Sequence, residues 1–266
     1  MRTLKKELVM LMVLMSFVLL AAGFPGGTRA AEDKSTESTK NSTETTEKTS
    51  QTTTKKKKKK QRTIFVAAGH QRRGISSREK LGPGTSQKKA KLTSGTQGVR
   101  THIPEYKTNL AIAKAVRKEL KRRGYKVIML RTTNKCPLSN GQRTRKANRS
   151  GADLHICIHC NAAGSSATGP LVCVPKNGRY MGKSLCKKSR RLGKLLLSST
   201  AKAVKKKSHG TIYSNYYTTI NWAKIPTVIL ECGFMSNPRE DRQLNSKSYQ
   251  KKLAKGISNG VDRYFK

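Results

Sequence analysis

The chain has 266 residues, with 57 Lys and Arg against 14 Asp and Glu, a formal net charge of +43 and 5% aromatic residues. A polypeptide this basic carries a field of several kT that attracts polyanions. Sparse aromatics and the absence of any recognised nucleic-acid motif argue against specific reading of DNA or RNA.

Residues 1–31 read as a secretory signal peptide. Arg2, Lys5 and Lys6 precede an apolar run over residues 8–22, and small residues at Ala30 and Ala31 follow Pro25-Gly26-Gly27. The apolar run is shorter than the roughly 20 residues a membrane-spanning helix needs. No cysteine precedes Cys136, so none stands where an N-terminal lipid would be attached. Residues 32–60 are almost entirely Ser, Thr, Lys, Glu, Asp, Asn and Gln, ending in the lysine run 55–60. With nothing apolar to bury, this stretch is expected to be a disordered stalk. Residues 61–266 then form one domain with one core. That domain alone holds 44 basic residues and eight acidic ones, Glu79, Glu105, Glu119, Asp153, Glu231, Glu240, Asp241 and Asp262, for a charge of about +36. With so few acids, a carboxylate in an apolar setting needs a reason to be there.

Thr63–Ala68 is a continuous apolar run and predicts a buried strand that leads into Gly69-His70. Residues 71–103 are rich in Gly, Ser, Thr, Lys and Arg and predict a long loop, functional or mobile, that follows directly on His70. Pro104-Glu105 opens a helix, with Leu110, Ala113, Val116 and Leu120 at helical spacing and Gly124 as its stop. A strand is expected over 125–130. Ser139 and Gln142 then have capping-box spacing for a basic helix. Residues 153–158 predict another buried strand, with His159 where it stops. A strand over 170–174 and a helix over 181–204 follow; the polar stretch 209–222 has no assigned form. Residues 226–230 predict a buried strand ending at Glu231, and 246–265 a closing amphipathic helix. Strands alternating with helical crossovers define an α/β fold, a single catalytic domain whose central, mostly parallel sheet carries helices on both faces.

In that fold His70, Glu105, His159 and Glu231 share one sheet edge, the carboxyl edge where α/β proteins build sites. Two imidazoles and a carboxylate are a usual ligand set for a catalytic zinc, with the fourth position open to water, and a second carboxylate beside it can act as general base. Blander readings stand alongside. Glu105 also suits the positive end of a helix dipole, and Glu231 also suits a structural ion pair. Cys157, His159 and Cys160 also resemble part of a Cys/His cluster, although Cys136, Cys173, Cys186 and Cys232 supply no second close pair. Six cysteines in a secreted chain also permit disulfides, whose pairing the spacing does not specify. His102, His155 and His209 read as ordinary exposed or core histidines; His155 lies about 13 Å back along its strand from His159, too far to share a metal.

The segments Ala68-Gly69-His70, Glu105 with Asn109-Leu110, Leu138-Ser139 with Arg143, Ile158-His159-Cys160-Asn161 and Glu231-Cys232-Gly233-Phe234-Met235-Ser236-Asn237 resemble, in order, the zinc-dependent N-acetylmuramoyl-L-alanine amidases of the type 3 family. The resemblance covers nearly all of residues 61–266. It implies a single zinc ion held by His70, Glu105 and His159, with Glu231 as the catalytic carboxylate. The implied reaction is hydrolysis of the amide between N-acetylmuramic acid and the first L-alanine of the peptidoglycan stem. Ala67 departs from the family pattern, where an aspartate is common, and the departure implies weaker metal binding if that aspartate orients a ligand histidine. The expected partners are peptidoglycan and, through the basic surface, anionic wall polymers, with no specific nucleic acid. The sequence does not specify an oligomeric state. The expected location is secreted and wall-associated, in an envelope of Gram-positive type. Two rivals remain in view: an inactive basic wall-binding module, and a secreted zinc peptidase acting on stem peptides.

Overall fold

The computed structural model describes residues 61–266; the signal-peptide and stalk readings of 1–60 lie outside the described residues. The elements are β1 (Thr63–Ala68), β2 (Ile75–Lys80), β3 (Lys88–Leu92), α1 (Glu105–Arg122), β4 (Lys126–Met129), α2 (Asn140–Asn148), β5 (Leu154–Asn161), β6 (Leu171–Val174), α3 (Lys183–Val204), β7 (Gly210–Tyr213), α4 (Thr218–Asn221), β8 (Thr227–Phe234), α5 (Pro238–Leu244) and α6 (Lys247–Phe265). Six strands form one sheet in the order β4-β1-β5-β8-β6-β7. Strands β4, β1, β5 and β8 run parallel. β6 is antiparallel to β8, and β7 runs parallel to β6. The sheet is therefore mostly parallel, with one reversal.

The two faces are covered unequally. Ile64, Val66, Leu154, Ile156, Ile158, Val228 and Leu230 pack beneath α1, α3 and α6, through Val116, Leu192, Leu196, Leu253 and Ile257 among others. Alternate residues, Phe65, Ala67, Cys157 and Ile229, face the other way and meet Ala147 of α2 and Ile220 of α4. The period of two along a strand places His159 and Glu231 on this second face, which among the described residues is covered by the short helices α2 and α4 and by loop residues such as Cys136, Leu138 and Ala167.

Several elements differ from expectation. Strands β5 and β8 continue past the predicted ends, so His159 and Glu231 lie within strands and sit opposite each other in register, just before an irregularity between His159 and Asn161. The 71–103 stretch contains the antiparallel hairpin β2–β3. β2 is mostly exposed and β3 mostly half-buried and rich in lysine, so no apolar alternation announces them. Tertiary bonds hold the hairpin instead: Glu79 accepts from Ser139 Oγ (2.6 Å) and Gly141 N (3.0 Å) at the start of α2, and Trp222 Nε1 donates to the Lys80 carbonyl (3.2 Å). The Ser139–Gln142 capping box is present. The unassigned 209–222 stretch becomes β7 and α4. Among the described residues no helix is long and apolar enough to cross a membrane.

Candidate active site

β1 delivers His70 through Gly69, and the chain turns sharply there, with His70 in the left-handed region at φ 54°. A non-glycine residue pays steric strain in that region, of order 1–2 kcal/mol. Buried guanidinium groups hold the turn in place. Arg131 donates to the carbonyls of Ala68 (3.0 Å), Gly69 (2.8 Å) and Tyr106 (2.8 Å), and Arg143 donates to the His70 carbonyl (3.2 Å). Neither has a carboxylate partner among the described residues; backbone oxygens accept from both instead, joined at Arg143 by the side-chain oxygen of Gln71. Burial first, then the neighbouring Arg143, lowers the Arg131 pKa to about 10.

The imidazole of His70 is oriented by the Thr93 carbonyl, 2.7 Å from Nδ1, which leaves Nε2 facing Glu105 Oε2 at 3.3 Å. His159 approaches the same carboxylate from the other side, with Nδ1 3.2 Å from Glu105 Oε1. The two rings meet edge to face, with centroids 4.7 Å apart. Glu105 is buried and receives further hydrogen bonds from Thr96 N (3.0 Å), Asn109 Nδ2 (2.9 Å) and Cys160 N (3.2 Å). Burial alone would raise its pKa, but the two imidazoles and the Asn109 amide outweigh it and hold the carboxyl at about 2. Burial lowers the pKa of His70. Burial also opposes a proton on His159, but Glu105 and Glu231 prevail and its pKa rises.

One ligand atom from each of His70, Glu105 and His159 lies within 4.8 Å of the others, a spacing that a single metal ion can span. Two glycines make this convergence feasible. A Cβ on Gly69 would run into the His159 ring, and one on Gly95, at φ 86°, would stand 2.5 Å from Glu105 Oε2.

Glu231 faces the same centre from β8. Its Oε2 is buried with no hydrogen-bond partner, and burial pushes its pKa to about 7 against the pull of His159. A buried carboxylate oxygen without a partner is costly, so the ion-pair reading of Glu231 has no support in its surroundings. The other cluster reading fails as well. Cys157 contacts His155, with Sγ 3.1 Å from Nε2, while all six cysteines are buried free thiols. Burial raises the Cys157 thiol to about 12, far from thiolate chemistry at neutral pH. His155 is fully buried against Phe65, and His209 lies on Phe234.

Several positioning groups leave no mark in the sequence. The Thr93 carbonyl and the Thr96 amide act through the backbone, which side-chain patterns do not report. Arg131 is one basic residue among many. Glu240 and Asp241 are buried, and their only available signal is the scarcity of acids.

The fold and this centre define an α/β protein with a two-histidine, one-glutamate metal-type site and an adjacent unpaired carboxylate. Comparison with known proteins gives that class a family. The model of the N-acetylmuramoyl-L-alanine amidase family matches residues 64–263, and the chain belongs to that family. The germination-specific N-acetylmuramoyl-L-alanine amidase of Bacillus subtilis (strain 168) is 32% identical over 182 residues, covering 60% of this chain and 70% of that protein. The crystal structure of an N-acetylmuramoyl-L-alanine amidase from Clostridium difficile 630 superposes with a TM-score of 0.62 at 27% identity, over 77% of this chain and 97% of that one. The fold is also shared with the apo N-acetylmuramyl-L-alanine amidase Ami1 of Mycobacterium abscessus, at a TM-score of 0.70 and 21% identity, covering 77% of this chain and 99% of that one.

Proposed function

We propose that the protein hydrolyses peptidoglycan at the amide between the lactyl carbonyl of N-acetylmuramic acid and the amino group of L-alanine, with His70, Glu105 and His159 holding one zinc ion and Glu231 moving the proton. The observation that supports this most is the Glu105 carboxylate set between two imidazoles, with Glu231 opposite His159 in register. The donor set fits zinc, whose catalytic sites use two histidines and a carboxylate. A zinc ion bound there supplies a Lewis acid for the carbonyl and lowers the pKa of a bound water to about 7.

The remaining work falls to the protein. Glu105, already ionised by its surroundings, needs no proton removed before it can act as a ligand. Thr93 fixes the His70 ring. Glu231, with an unoccupied acceptor oxygen, takes the proton of the attacking water and later delivers it to the alanine nitrogen, so that the C–N bond breaks to a lactyl carboxylate and a free amine. An inert wall-binding module has no use for that unpartnered oxygen.

The proposed setting is outside the cell, on a wall of Gram-positive type. Support comes from the signal-like composition of 1–31 and from the Bacillus subtilis relative. The excess of lysine supports adhesion to anionic wall polymers. The test is incubation of the full chain with purified peptidoglycan, with and without a chelator. Zinc-dependent appearance of L-alanine amino termini is expected; release of other ends, or none, overturns the proposal.

A further inference from the structure

We infer that the groove between α3 and α6, on the face of the sheet opposite to that of His159 and Glu231, is a binding site for a flexible polyanion whose charge is carried by phosphodiesters without bases, such as a polyol-phosphate or sugar-phosphate chain. The groove encloses about 730 Å³ and is lined by Lys202, Lys252, Lys255, Arg263 and Lys266, with Ser198 and Asn259 between them. The lysines and arginine are exposed, and none of them forms an ion pair among the described residues. The one acidic side chain in the lining, Asp262, is already engaged by Arg123 Nη1 (2.5 Å) and the Tyr125 hydroxyl (2.8 Å).

The backbone forces these cations together. A Cβ on Gly256 would lie 2.7 Å from Thr200 Cα, and one on Gly260 2.7 Å from Leu196 Cα, so α3 and α6 are in close contact along the groove floor. Two basic helices packed this tightly repel each other, and an anion along the seam relieves the repulsion. Arg263 is pre-set for such a ligand, with Nη1 donating to Ser198 Oγ and Ser199 Oγ, both at 3.0 Å. Its remaining guanidinium donors suit phosphate.

The lining also selects among polyanions. It contains no aromatic side chain, so it lacks the stacking platform that single-stranded nucleic acid uses. It is concave and has no exposed apolar residues of the kind that enter a lipid interface. A chain of phosphates joined by polyols meets cations, hydroxyls and an amide, which is what the groove offers.

The test compares full-chain variants in which Lys55–Lys60 contributes the same background to each. Lys202→Gln/Lys252→Gln/Lys255→Gln removes groove charge, and Lys114→Gln/Lys118→Gln/Lys121→Gln removes equal charge from the exposed side of α1. Binding to purified poly(glycerol phosphate) at 0.15 M salt is measured after equal thermal midpoints confirm folding. The groove variant is expected to lose tenfold or more in affinity, and the α1 variant less than threefold. Equal losses, or an unaffected groove variant, mean that only diffuse charge acts and overturn the inference. Groove-dependent binding of oligo(dT) or of anionic vesicles at equal or higher affinity overturns the assigned ligand class. Because the readout is binding, it is independent of whether the chain proves to be an amidase.

Discussion

Glu240 and Asp241 are consecutive in α5, yet they hold opposite sides of the site. Glu240 accepts from Phe234 N (2.7 Å), just beyond Glu231 on β8, from Gly169 N (2.9 Å) and from Lys206 Nζ (2.6 Å). Asp241 accepts from Arg100 N (2.8 Å), Thr101 N (2.7 Å) and Thr101 Oγ1 (2.7 Å) in the loop that leads into Glu105. Asn237, the cap of α5, fixes both by taking hydrogen bonds from Arg239 N and Glu240 N. Met235 joins the two sides, accepting from Val99 N (3.0 Å) and donating to the Asn161 carbonyl (2.8 Å). One short helix thus sets the distance between the Glu105 loop and the Glu231 strand.

Isosteric amides should separate these two roles. Asp241→Asn and Glu240→Gln each remove a buried, hydrogen-bonded charge, and each is expected to cost about 2–4 kcal/mol in urea unfolding. Asp241→Asn should also weaken zinc affinity by about tenfold or more, as loss of an outer partner of a metal site does, because it frees the loop that carries Glu105. Glu240→Gln should leave zinc affinity nearly unchanged and lower kcat. Equal effects of the two variants on zinc affinity, measured by competition with a chromogenic chelator, refute this division.

Glu231→Gln preserves the shape of the side chain and removes its ability to accept a proton. Zinc content should stay at one ion per chain, while turnover on a muramoyl-peptide substrate falls about 10²- to 10⁴-fold. Near-normal turnover with full zinc removes Glu231 from the proton path; loss of zinc instead makes it a fourth ligand.

The same residue gives the metal-free protein a pH-dependent stability. The carboxyl is raised from 4.5 to about 7, chiefly by burial. The folded state therefore binds this proton more tightly than the unfolded chain, and the contribution is fully present below pH 4.5 and lost as the pH rises through about 7. Glu231→Gln resembles the protonated form at every pH. The variant and the parent protein should be about equally stable at pH 4. At pH 8 the variant should be the more stable by at most about 3–4 kcal/mol, since each tenfold difference in proton affinity between folded and unfolded chains is worth about 1.4 kcal/mol. Urea unfolding of chelator-treated samples at both pH values decides; the same difference at each pH contradicts the account.

Buried strands and amphipathic helices are legible in the sequence because their residues carry a period: β1, α1, α3 and α6 follow apolar spacing closely. The Ser139 cap is legible because its chemistry is local. His70, Glu105, His159 and Glu231 are legible because each is a polar group at the end of an apolar run or at a helix start. The β2–β3 hairpin is not, since distant residues stabilise it: Ser139 and Gly141 donate to Glu79, Trp222 to the Lys80 carbonyl and Asn221 to the Leu81 carbonyl. The ends of β5 and β8 fall later than polarity suggests for a related reason. His159 and Glu231 look like strand terminators, but pairing between β5 and β8 carries the strand through them, and the site is built on rigid strand backbone. Nothing in the run containing Arg131 separates it from the surface cations around it.

Proton competition for the proposed metal ligands follows from the unequal histidines. His159 is raised above 6.5 through Glu105 and Glu231, whereas burial lowers His70 below it. As the pH falls, His159 takes up a proton before His70 does and, as a proposed ligand, must release it to bind metal, while Glu105 remains ionised. Apparent zinc affinity should therefore fall about tenfold per pH unit on the acid side of the His159 transition, one proton per metal, and steepen toward two only at lower pH as His70 joins. Calorimetric titrations in buffers of different ionisation enthalpy report this proton count directly. In Glu231→Gln the charge that helps raise His159 is gone, so the onset should move to lower pH. An onset that stays in place would mean that Glu105 alone sets the basicity of His159.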